Sequence, residues 1–77
     1  MSNVQEQIEA IRSFAEESER HADRMKIVIE HLRQHGQSVE AAERQMSQSH
    51  TMARAYRARR DELEAQIVAK REEPAQA

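Results

Sequence analysis

The sequence predicts an all-α fold, an antiparallel hairpin of two long helices packed in the manner of a coiled coil. Three observations lead there. Apolar residues step by four and three along both halves of the chain. The single glycine, Gly36, stands where the first of these patterns stops. The remaining composition is rich in Glu, Gln, Arg and Ala, which lose little on entering a helix.

At 77 residues the chain is too short for two independent cores, so 1–77 reads as a single helical-hairpin domain. The first helix is expected over about 3–35. Ser2 is placed to cap it, with Gln5 three residues on to complete a capping box. The stripe then runs through Val4, Ile8, Ile11, Ala15, Ser18, Ala22, Met25, Ile29 and Leu32. Gly36 follows where a helix C-cap needs a left-handed residue, which makes about 36–38 the turn. Ser38 is placed to cap the second helix, expected over about 39–72.

That helix repeats the stepping through Val39, Ala42, Met46, Ser49, Ala53, Tyr56, Arg60, Leu63 and Ile67. The acidic pair Glu72 and Glu73 and then Pro74 end it, and residues 73–77 are expected to fray. A spacing averaging 3.5 residues marks a coiled-coil seam. So short a turn forces the helices to run antiparallel and adjacent.

Zipping the two stripes from the turn outwards pairs Leu32 with Val39, Ile29 with Ala42, Met25 with Met46 and Ala22 with Ser49. Ser18 then meets Ala53, Ala15 meets Tyr56, Ile11 meets Arg60, Ile8 meets Leu63 and Val4 meets Ile67. The two residue numbers of every pair have the same sum, and their midpoint falls beside Gly36. Large faces small at Tyr56 and Ala15, and a waist of Ala and Ser in the middle lets the backbones approach.

The two flanks of this seam differ. Counting Ile8 and Val39 as heptad a positions, the e side holds Arg12, Glu19, Lys26 and Arg33 against Arg57, His50 and Glu43. Lys26 with Glu43 and Glu19 with His50 are expected pairs, Arg12 with Arg57 is a repulsive one, and the side belongs in water. The g side offers Gln7, Phe14, His21, Val28 and His35 with Gln45, Met52, Arg59 and Gln66. Phe14, Val28 and Met52 widen the apolar stripe here alone. A wide stripe marks helices that pack on more than one neighbour. The expected partner or dimer interface is therefore Phe14, His21, Val28, Met52, Tyr56, Arg59 and Arg60. Tyr and Arg are residue types enriched at binding hot spots. Two occupants fit: a second copy, closing a homodimeric four-helix bundle, or a helical segment of another protein. Ile27 points outwards in this register and has no account.

Other chemistry finds little support. His31 and His35 lie four apart on one helix face and could hold Zn²⁺, yet no third ligand is near the turn, so no metal is expected. His21 and His50 fall on opposite sides of the seam. The basic run Arg54, Arg57, Arg59 and Arg60 could touch phosphate, but Glu16, Glu17 and Glu19 are placed across the hairpin to neutralise it. A formal net charge of −2 also opposes general nucleic-acid binding, which ranks a distant third. Arg60 is a charge on the seam. Its stem can pack while its head reaches Asp61 or Glu64; alternatively it sets register or meets a partner's carboxylate.

The chain contains no cysteine, and no nucleophile has a base beside it, so neither cofactor nor enzymatic activity is expected. The longest apolar run, Ile27-Val28-Ile29, is far short of a membrane span of ~20 residues. The first residues lack the blocks of a signal peptide, and a cytoplasmic location is expected. In outline the hairpin is similar to the small helical-hairpin chaperones and co-chaperones of bacterial secretion and to small phage-encoded or bacterial anti-regulators. That likeness is one of shape, which does not imply function. The expected role is to bind and mask, or to chaperone, a helical segment of another protein; the alternative is a purely structural self-assembling bundle.

Overall fold

A computed structural model describes residues 3–72 and shows two helices, α1 (Val4–Gln34) and α2 (Glu40–Glu72), packed on one another along a shared seam. Their lengths, 31 and 33 residues, are nearly equal, so each turn of α1 has a counterpart on α2. The expected tail, 73–77, lies outside the described residues, as does Ser2.

The start of α1 departs from expectation by one residue. Asn3 is the N-cap, with extended backbone (φ −81°, ψ 171°), and its Oδ1 accepts the Glu6 N–H at 2.8 Å. Asn is as good a cap as Ser, and here it satisfies one of the helix's orphan donors. At the start of α2 the flanking residue is Val39, whose carbonyl accepts the Glu43 N–H at 2.8 Å. Ser38 therefore sits one residue too early to be the cap.

The turn follows from Gly36, which has φ +66°. The Gln37 N–H donates to the Leu32 carbonyl at 2.9 Å and the Gly36 N–H to the Arg33 carbonyl at 3.1 Å. These two bonds are the Schellman closure of a helix C-terminus, and they depend on the left-handed residue between them. A Cβ built on Gly36 meets nothing within 4 Å, so the space around it is open and only the backbone conformation selects glycine. Gly36→Ala should accordingly cost about 1 kcal/mol of unfolding free energy in urea titration. D-Alanine, introduced by chemical synthesis, should cost nothing at the same site; a loss equal to that of L-alanine would refute this account.

The seam is where the stepping placed it. Ile8, Ala15, Ala22, Met25, Ile29, Ala42, Ser49, Ala53 and Leu63 are buried, and every other position of the two stripes is half-buried. Met25, Ile29 and Ala42 form one buried cluster with Leu32, Val39 and Met46 packed against it, which are the three layers expected next to the turn. Farther out the waist is tight: Ala22 is 0% and Ala53 2% exposed.

The ion pairs across the e side are not those expected. Arg57 pairs with Glu19, and Arg12 with Glu64 at 3.7 Å. Lys26 turns instead to Asp23 of its own helix, at 3.9 Å. The cause is the direction of helical side chains, which tilt towards the N-terminus of their own helix. In an antiparallel pair those tilts are opposed. Residues at the same height diverge, as Arg12 and Arg57 do, while residues offset by one heptad converge. The repulsive pair thus disappears. Both pairs are substantially exposed and worth about 0–1 kcal/mol each, so they trim the register rather than hold the fold.

Candidate functional site: the apolar g side

Filling the seam leaves large apolar side chains uncovered. Phe14 (54% exposed), Val28 (40%) and Met52 (49%) all stand on the g side. They come from both helices, because g positions of α1 and α2 flank the same edge of the seam. His21, between Phe14 and Val28 on α1, is half-buried. The e side opposite carries Arg12, Glu19, Lys26, Arg33, Glu43, His50, Arg57 and Glu64, and has no apolar residue at those positions.

Tyr56 joins the g side. Its ring lies 5.6 Å from that of Phe14, tilted by 41°, an arrangement typical of favourable aromatic pairs. Ala15, its expected seam partner, is small and 4% exposed, which leaves room for the phenol ring to lean out towards Phe14. The result is a ridge, Phe14 with Tyr56, contributed by both helices.

The two arginines at the border are engaged within the chain. Arg59 Nη1 donates to Glu62 Oε2 at 2.9 Å, and Arg59 is exposed. Arg60 Nε and Nη2 both donate to Asp61 Oδ1, at 3.2 and 3.0 Å. Its stem packs at the seam while the head turns to solvent, the first of the two arrangements expected for it. The basic run is not neutralised across the hairpin as a block. Among the described residues only Arg57 of this run reaches across, to Glu19; Arg54 bonds Thr51, and Glu17 accepts from Arg20.

At the hairpin tip His35 Nδ1 lies 2.8 Å from the His31 carbonyl oxygen, and the two rings lie with centroids 4.3 Å apart, tilted by 36°. One ring nitrogen of the pair is thus occupied in closing the end of α1. Among the described residues no three His, Asp or Glu side chains group as metal ligands would.

Two exposed apolar residues stand apart from the g side. Ile27, 72% exposed, borders a shallow groove with Lys26, Glu30, His31 and Gln34 on the outer face of α1. Val68, 48% exposed, follows the seam residue Ile67 directly, one position off the seam, where the stepping by four and three carries no signal for it. It lines an open groove with Ile8, Ile67 and Arg12 at the end away from the turn. No described helix is long and apolar enough to cross a membrane. Compared with known proteins, the chain matches no family model, no curated protein and no solved structure.

Proposed function

We propose that this chain is a small, non-enzymatic interaction protein of the cytoplasm that binds and masks, or chaperones, a helical segment of another protein through its g side. One observation supports the reading above all: Phe14, Val28 and Met52 stay exposed on a single side while the seam beneath them is filled. An amphipathic helix laid along that side would bury them with spacings of three, four and seven residues, the way helix-in-groove recognition works. The ridge of Phe14 and Tyr56 is the natural anchor, since aromatic side chains bury large area at little entropic cost.

A second reading rests on the same side. Two hairpins could close a homodimeric four-helix bundle whose role is structural. Affinity capture from extract of the source organism separates the two, using wild-type chain and a Phe14→Asp, Val28→Asp double variant as baits. A second protein retained by wild type and lost with the variant supports the interaction reading. A bait that retains only further copies of itself supports the structural one.

Within either complex, Tyr56→Ala and Arg60→Ala should weaken association more than Arg20→Ala. Arg20 sits on the outer face of α1, bonded to Glu17 at 3.0 Å. Truncated anchors commonly lose about 2 kcal/mol, a Kd about 30-fold weaker, against almost no change at a rim charge. Equal losses at all three positions would remove the g side from the interface.

A further inference from the structure

We infer that the resting occupant of the g side is a second copy of this chain, docked end for end about a two-fold axis that crosses both helices, passing over His21 on α1 and Met52 on α2. The inference rests on the reading of the g side as a recognition face, and it names that face's first partner. A two-fold interface is isologous: if residue i meets residue j, then j meets i. The surface must therefore be complementary to itself when turned about a point, and about His21 the g side of α1 sets unlike, complementary residues face to face. Phe14 lies one heptad before His21 and Val28 one heptad after it. Turning a second hairpin end for end about His21 sets the Phe14 and Tyr56 ridge of each copy against Val28 of the other, large against small.

Charge agrees with the same point. The next positions outwards on α1 are Glu17 and Arg24, one on each side of His21. In the turned copy Glu17 faces Arg24 and Arg24 faces Glu17, so the pair forms twice. Arg24 has no side-chain hydrogen bond or ion pair among the described residues. Glu17 bonds Arg20 through one carboxylate oxygen at 3.0 Å and retains acceptor capacity on its other one. α2 obeys the same axis. Opposed tilts, the effect that sets Arg12 on Glu64, bring Met52 to the height of His21. Met52 then meets its own counterpart, and Gln45 meets Arg59. The other two-fold arrangement, with both turns at the same end, lays α1 on α2 of its neighbour. There Glu17 and Arg24 would face Ala55 and Gln48, and Val28 would face Gln45, leaving both charges unmatched.

The chain has no cysteine, so single-cysteine variants report contacts without background. Under mild oxidation His21→Cys and Met52→Cys should each cross-link to themselves, because symmetry brings each beside its own copy at disulfide range. Phe14→Cys and Val28→Cys should cross-link when mixed and far less alone. In sedimentation, Glu17→Arg and Arg24→Glu should each self-associate about tenfold more weakly than wild type. Their equimolar mixture should recover wild-type affinity, since both crossed pairs are again of opposite sign.

A folded wild-type monomer at 100 μM would overturn the inference, and so would His21→Cys cross-linking to Met52→Cys in a mixture but neither alone. Unchanged association of both charge variants would also overturn it. These failures are distinct from failure of the functional reading. A monomer whose g side still captures another protein sinks the dimer alone. A dimer with the expected cross-links that captures nothing sinks the masking role alone.

Discussion

Ile29→Ala should lower the unfolding free energy by about 3 kcal/mol, a large share of what so small a domain can possess. Ile29 is 7% exposed and lies in the cluster with Met25 and Ala42, roofed by Leu32, Val39 and Met46. Shortening it removes three carbons from a layer whose neighbours are held on helices and cannot collapse into the space. Ile27→Ala, two residues away, is the matched control. It changes the same side chain in the same way, but Ile27 is 72% exposed, and a shift within about 0.5 kcal/mol is expected. Urea titration followed by helical circular dichroism measures both, at one protein concentration because self-association adds to apparent stability. Similar losses for the two variants would mean that the seam does not run where the stepping places it.

Ala22→Leu is expected to cost about 2 kcal/mol or more, although it adds apolar surface to the core. Ala22 is 0% exposed, and the waist around it is built from Ala15, Ser49 and Ala53, all buried. Small residues there let the helices approach, and close-packed interiors do not absorb extra methylenes without strain. The sign of the effect decides the matter. A loosely packed waist would bury the new leucine and gain stability, by roughly 1.5 kcal/mol or more for a fully covered side chain. Ala22→Gly offers a calibration, expected to lose about 1 kcal/mol from helix propensity with no steric component.

The hairpin was legible because two local signals agree. Period fixes which residues share a helix face, and a lone glycine fixes where the chain can reverse. Gly36 at φ +66° with the Schellman bonds around it is what that position implied. The burial of Ile8, Ala22, Ile29, Ala42 and Leu63 follows from the same stepping. The uncovered g side was legible too, since Phe14, Val28 and Met52 break the balance between the flanks. Cap identity was less so, because Ser2 and Asn3 are adjacent residues of similar capping strength, and only the helix's actual start at Val4 selects Asn3.

The sequence by itself determined the elements, the reversal point, the seam and the side left without cover. These depend on spacing along one chain, and spacing is what a sequence states. The tertiary structure alone decided how side chains meet across the seam. Glu19 with Arg57 and Arg12 with Glu64 replace the same-height pairs, because opposed tilts in antiparallel helices carry side chains one heptad out of step. Tyr56 leans from the seam onto Phe14 for a related reason: the room beside Ala15 exists only once both helices are in place. Heptad letters place Cα atoms, whereas contacts are made by side-chain ends several ångströms away, in directions set by both helices together.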